Sequence, residues 1–302
     1  MRTLKNKVID YNESMKELGV LSLKTVLVTG GTDGVGKGLV LHYLKNDYEV
    51  IAVGTSTAKA DQLRADATAM EKENNLQFIQ ANLSLVSENR KLVAMIKERY
   101  NALDGLIMCA ASLKPQEKYT ETSEGFEFTF ALYYLSRYVL SNELKDLLNQ
   151  AENPFILNVA APGMKGQVNW DDIQFTNNYK GQSVQFHGSR LNDLLGVSFT
   201  ERDMTQKIKY MLFNPMAVRT AGAAKMFEGK SLMHRISRMY YKFFGKSVEE
   251  IVEMIIQNMD VTKATGLVAY KQLASVPLSM STFDKESAKK LSVLTQELLK
   301  KL

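Results

Sequence analysis

Val26-Leu27-Val28-Thr29-Gly30-Gly31-Thr32-Asp33-Gly34-Val35-Gly36-Lys37-Gly38 decides the fold: an apolar run breaks into glycines, and apolar residues then return at a different spacing. Val26, Leu27 and Val28 read as a buried strand, while Leu39, Val40, Tyr43 and Leu44 mark one face of a helix. Strand, turn and helix in that order point the unpaired N–H groups of the helix at an anion. Gly30, Gly34 and Gly36 allow positive φ and keep Cβ atoms out of a phosphate's way. The stretch predicts a dinucleotide-binding turn, with Gly30, Thr32, Asp33, Gly34, Val35 and Gly36 as candidate cofactor contacts.

Working outward, apolar strands are expected near residues 25–29, 49–53, 76–80, 104–110, 154–160, 208–213 and 265–270. Helical patterns fill the gaps, at residues 58–74, 86–100, 124–150 and 183–203. Such alternation implies an α/β fold of the doubly wound Rossmann type. Its single parallel sheet of about seven strands would carry helices on both faces and bind ligands beyond the carboxyl ends of the strands. Residues 1–22 form a helical extension in this reading, with Val8, Tyr11, Met15 and Leu18 on one face, and residues 23–302 form one domain.

Composition narrows the function classes. The 302 residues suffice for a sizeable core, and 45% hydrophobic residues with only 5 prolines leave no candidate linker. The first twenty residues lack the apolar run of a signal peptide, and no stretch reaches the about 18 apolar residues of a membrane span. The single cysteine, Cys109, excludes an internal disulfide, and a cytoplasmic location is expected. A net charge of +5 suits an anionic cofactor but is too dispersed for nucleic acid. His42, His187 and His234 form no ligand spacing, so no metal site is expected.

The second strand ends in Val53-Gly54-Thr55-Ser56. A carboxylate at that end would hold the ribose hydroxyls of NAD and repel the extra phosphate of NADP. Gly54 stands there instead, so NADP(H) is favoured and NAD(H) is the alternative. Thr55 and Ser56 are candidate contacts, and Lys37 and Lys59 are candidate cations for the extra phosphate.

The glycine spacing resembles that of the short-chain dehydrogenase/reductase superfamily, and the resemblance extends over residues 24 to 300. The stretch from Glu124 to Leu135 looks like the long helix of its retinol-dehydrogenase-like branch. Asn214-Pro215-Met216-Ala217-Val218-Arg219-Thr220 is similar to its nicotinamide-side loop. By this resemblance Asn82 and Leu83 lie beside the adenine, and Ala110, Pro215, Val218, Thr220 and Arg190 complete the cofactor contacts. Asn82 also fits an ordinary helix N-cap.

The family transfers a hydride while a tyrosine moves the proton, assisted by a lysine, a serine and an asparagine. The matching positions here hold Phe186 for the tyrosine, Arg190 for the lysine, Ala161 for the serine and Tyr133 for the asparagine. The resemblance thus implies a dinucleotide-binding protein without the usual redox tetrad, a pseudoenzyme or the host of a non-standard reaction on an apolar small molecule. One alternative is an NADPH-dependent reductase of an activated carbonyl or alkene, with Tyr133 or water as proton source and Arg190 on the ribose. Another is a scaffold for a protein partner or membrane surface. Residues 221–260 match the family's substrate lid, with Leu232, Ile236, Met239 and Phe243 as an inner stripe. The closing helix, residues 287–302, packs on the domain or on a second copy in a homo-oligomer.

Overall fold

The structure is a computed structural model that describes residues 23–112, 114–220, 239, 241, 245–261 and 265–302. The expected extension at residues 1–22, and most of the expected lid with Leu232, Ile236 and Phe243, lie outside the described residues.

Strand β1 (Thr25–Thr29) leads through the glycine turn into helix α1 (Gly34–Lys45). Then follow β2 (Glu49–Gly54), α2 (Thr57–Ala69), β3 (Leu76–Gln80), α3 (Val86–Arg99) and β4 (Gly105–Met108). The second half holds a composite helix α4 over residues 128–143, then α5 (Lys145–Gln150), β5 (Phe155–Val159) and α6 (Gly181–Arg202). Strand β6 (Lys209–Asn214), α7 (Val248–Val261), β7 (Gly266–Lys271), β8 (Ala274–Ser275) and α8 (Lys285–Leu299) complete it.

The strands form one sheet in the order β3-β2-β1-β4-β5-β6-β7-β8. The seven expected strands are parallel, and β8 is one more, antiparallel to β7. Its two residues are too few and too polar to show a strand pattern, and the two-residue hairpin depends on Gln272 at a φ of 52°. The expected helix 58–74 stops at Ala69 because Glu71 turns left-handed, at a φ of 57°. The expected helix 124–150 starts at Phe128, passes through a π-helical segment, Ala131–Leu135, and breaks at Leu144.

Alternation along the strands divides the core into two layers. Val26, Val28, Val50, Ala52, Ile107 and Met211 pack against Leu39 and Val40 of α1, Leu63 of α2 and Ile251 and Ile255 of α7. Leu27, Ile51, Leu106, Ile156 and Leu212 face Leu92 of α3, Leu135 and Val139 of α4, Leu191 and Leu195 of α6 and Leu291 of α8. Leu291 therefore lies in this protomer's own core, as the packing expectation for the last helix requires.

Candidate functional site

The strand order reverses direction between β1 and β4, and the carboxyl ends of these strands open the crevice where ligands of doubly wound sheets bind. Backbone passes close to backbone here. Gly30 has a φ of 65°, and a Cβ on it would stand 2.8 Å from the Ala110 nitrogen at the end of β4. A Cβ at Gly36 would stand 2.2 Å from the Gly30 carbonyl oxygen. Both positions accept only glycine, and the turn brings backbone, with no Cβ between, to the start of α1.

Asp33 caps α1, its carboxylate accepting from the Gly34 N–H at 2.7 Å. Its other oxygen meets Lys59 Nζ at 2.5 Å, with both side chains about half exposed (45% for Asp33, 54% for Lys59). Burial raises the Asp33 pKa, but hydrogen bonds from Lys59 and Gly34 outweigh it and hold the carboxyl below its ordinary value. Lys37 is engaged elsewhere, with Asp66 on α2 at 2.5 Å. Ser56 caps α2 by accepting from the Lys59 N–H at 3.3 Å, and Thr55 beside it is exposed.

Beyond β3, Asn82 is exposed and Leu83 buried. Asn82 accepts from Ser84 and does not cap α3; Glu124 does, its carboxylate accepting from the Val86 and Ser87 N–H groups at 2.5 and 3.0 Å. Cys109, which follows β4, is partly exposed as a residue. Desolvation nonetheless pushes its thiol up to about 12 against the pull of Arg137, which keeps it protonated and inert at neutral pH.

The loop after β6 closes the other side of the crevice. Thr220 lies against the glycine turn, its Cγ2 3.3 Å from where a Gly34 Cβ would be, and its N–H donates to the Tyr241 hydroxyl at 2.9 Å. Val218 bridges to Lys246, and the Pro215 carbonyl accepts from Gln272 at 3.2 Å. Met216 is left-handed at a φ of 59°, where the family resemblance places glycine; its N–H donates to the Asn214 carboxamide oxygen at 2.8 Å.

The four positions of the expected redox apparatus fall on two helices and a loop. Phe186 on α6 is 45% exposed. One turn later Arg190 is only 3% exposed and is paired with Asp193, 0% exposed, at 2.7 Å. Burial pushes Asp193 up to about 6, opposed by Arg190 and by the Gly163 N–H, which donates to it at 3.0 Å. The remaining Arg190 contact is long, 3.5 Å to the Ala161 carbonyl, and its Nε and Nη1 have no hydrogen-bond partner. Ala161 thus offers α6 only its backbone.

Tyr133, in the π-helical segment, lies against the space left by Gly188, 2.6 Å from where a Cβ would be. The Arg137 guanidinium sits over its ring at 4.3 Å. Arg137 is fully buried and donates to Asn158, to the Val159 carbonyl at 3.0 Å and to the Ala110 carbonyl at 3.2 Å. Asn158 in turn donates to Asn192 and to the Tyr210 hydroxyl, each at 3.0 Å, and Asn192 donates to the Tyr133 carbonyl at 2.8 Å. Arg137 and this network were not singled out in the sequence; the available signal was an arginine amid the apolar helical positions Leu135, Tyr138, Val139 and Leu140.

The other aromatic candidates serve packing. Tyr134 is buried and hydrogen-bonds Thr295 of α8 at 2.7 Å. His187 is buried beside Phe175, its Nε2 accepting from the Asn169 N–H at 3.2 Å, and burial lowers it to about 4. Among the described residues no group of three or more histidine, cysteine or acidic side chains is placed to hold a metal ion, and no helix is long and apolar enough to cross a membrane.

Fold and crevice define a protein of the doubly wound Rossmann type. The model of the short chain dehydrogenase family matches residues 24–171. Human polyprenol dehydrogenase is 29% identical over 157 residues, covering 50% of this chain and 47% of that protein. Human retinol dehydrogenase 13 is 24% identical over 169 residues, covering 56% and 50%. The chain therefore spans about half the length of these relatives. A solved short chain dehydrogenase from Escherichia coli, complexed with NADPH, superposes with a TM-score of 0.62 at 18% identity, over 84% of this chain and 98% of that one. Residues 24–171 thus match the short chain dehydrogenase family, and the chain's relatives include polyprenol and retinol dehydrogenases.

Proposed function

We propose that this protein binds a nicotinamide dinucleotide, NADP(H) in preference to NAD(H), next to an apolar small molecule, and lacks the family's tyrosine-driven proton transfer. The carrying observation is the state of α6. Phe186 presents hydrocarbon where a proton donor would stand, and the Arg190 guanidinium is held by Asp193 inside the fold. Losing a positioned general acid typically slows a reaction by about 10²–10⁴. Here the orienting hydroxyl at Ala161 is absent as well.

The residues around the crevice fit the cofactor, since the glycine turn keeps free the space that Cβ atoms would fill. Gly30, Thr32, Asp33, Gly34, Val35 and Gly36 would hold the diphosphate, and Thr55 and Ser56 the adenosine ribose. Asn82 and Leu83 would meet the adenine, and Ala110, Pro215, Val218 and Thr220 the nicotinamide end. A bound nicotinamide would supply or accept a hydride. This chain's residues position it and exclude water, and at Phe186 and Ala161 no side chain exchanges a proton. The NADPH-complexed neighbour supports the phosphorylated cofactor, and the polyprenol and retinol dehydrogenase names support an apolar ligand.

A second reading rests on Tyr133, which lies beside the α6 backbone at Gly188 under a buried cation. It makes the protein a reductase of an already activated acceptor, with the Tyr133 hydroxyl donating the proton. Fluorescence titration of purified protein with NADPH and NADH tests the main reading. Binding is expected in the wild type and lost in Gly36→Val; Gly34→Trp serves as a second block should the first variant fail to fold. Rapid reduction of a simple ketone would overturn the reading, and turnover confined to conjugated acceptors and abolished by Tyr133→Phe would establish the second.

A further inference from the structure

Gly54, at the end of β2, is crowded by one side chain: a Cβ there would stand 2.8 Å from Thr32 Oγ1 and 3.1 Å from Thr32 Cγ2, so Thr32 would have to shift. The site for a carboxylate that selects against a 2′-phosphate is thus obstructed by Thr32. Asp33, in the glycine turn, brings a negative charge toward the same region. Lys59 from the first turn of α2 pairs with it directly, whereas Lys37 acts on it without a direct bond and is paired with Asp66.

The two partners of the Asp33–Lys59 pair differ in freedom. Asp33 is pinned by its cap bond to the Gly34 N–H, while Lys59 reaches it from a flexible stem. With both side chains about half exposed, such a pair is weakly held, worth at most about fivefold in an equilibrium. A phosphate dianion offers the ammonium more charge and more acceptor oxygens than one carboxylate.

We propose that Lys59 is the residue by which this protein distinguishes a 2′-phosphorylated dinucleotide from its unphosphorylated form, and that Asp33 competes with that phosphate for the Lys59 ammonium. The proposal rests on the dinucleotide reading above. It assigns opposite effects to two adjacent charges: removing Lys59 weakens the phosphorylated ligand alone, and removing the Asp33 charge strengthens it. Asparagine caps helices as well as aspartate does, so Asp33→Asn changes the charge and keeps the start of α1.

The experiment is calorimetric titration of the full-length protein with NADPH, NADH, 2′,5′-ADP and 5′-AMP, on wild type, Lys59→Gln, Lys59→Arg and Asp33→Asn. Lys59→Gln is expected to weaken NADPH and 2′,5′-ADP by about tenfold or more, and NADH and 5′-AMP by less than about twofold. Lys59→Arg retains the preference. Asp33→Asn tightens the phosphorylated pair by about threefold. Binding of both dinucleotides with a ratio unchanged in Lys59→Gln overturns this proposal alone, as does Asp33→Asn weakening NADPH. A wild type that binds none of the four ligands overturns the dinucleotide reading as well.

Discussion

Two ion pairs flank the crevice at nearly the same length, Asp33–Lys59 at 2.5 Å and Arg190–Asp193 at 2.7 Å, and they belong to different worlds. The first is half in water, so opening it exchanges one solvated contact for another. The second lies inside the protein, where a lone charge costs several kcal/mol. The difference teaches that accessibility, more than charge or distance, decides whether a basic residue is available to a ligand. Lys59 is free to be recruited, and Arg190 is committed to holding the loop after β5 to α6 through Asp193 and the Gly163 N–H.

The sharpest way to break this contrast is to cut the buried pair. Asp193→Ala or Arg190→Met alone should each cost about 3–5 kcal/mol in denaturant unfolding, because each strands a buried charge. The double variant Arg190→Met with Asp193→Leu should fall within about 1 kcal/mol of the wild type. Singles that are harmless would mean that Arg190 is not committed after all.

His187 tests the same half of the molecule by pH. Its folded pKa, about 4, lies below the ordinary 6.5, so the neutral ring favours the fold. That stability is fully present above pH 6.5 and is lost as pH falls through 4, about 3 kcal/mol in all. Thermal melts from pH 7 to 4 should show a smaller decline in His187→Gln, which keeps an acceptor for the Asn169 N–H and removes the titration. Equal declines would place the effect on other groups.

Much of this contrast could not be read from the chain. The strands and the glycine turn were legible because apolar runs and glycines act locally, and Leu27 or Val28 needs no partner to declare itself buried. Arg190 and Asp193 stood three residues apart in plain view, but whether they face water or core depends on the loop carrying Gly163 and on the turn Ser281–Phe283. The cap on α3 comes from Glu124, 38 residues beyond Val86, so the N-cap that Asn82 also fitted in the sequence is supplied from outside the local stretch. The expected homologue of an asparagine, Tyr133, gained its meaning only when Arg137 was found stacked over it.

The smallest effect belongs to the open end. Ser56→Ala removes the α2 cap and should cost about 0.5–1 kcal/mol of stability, while lowering NADPH and NADH affinity alike through the lost ribose contact, and NADPH affinity further through the looser start of the helix that carries Lys59. Stability and both affinities measured on the same sample separate these effects. Loss of stability with the ratio of the two affinities intact would detach Lys59 from the ligand.

The crowding of Gly54 by Thr32 also limits how the protein's coenzyme choice can drift. An acidic residue installed at the tip of β2 must displace the Thr32 side chain in the neighbouring glycine turn, so the usual one-step route to NAD is hindered. Any lineage or engineer taking that road goes more easily through two coordinated exchanges, Thr32→Ala ahead of Gly54→Asp, and the intermediate gains nothing.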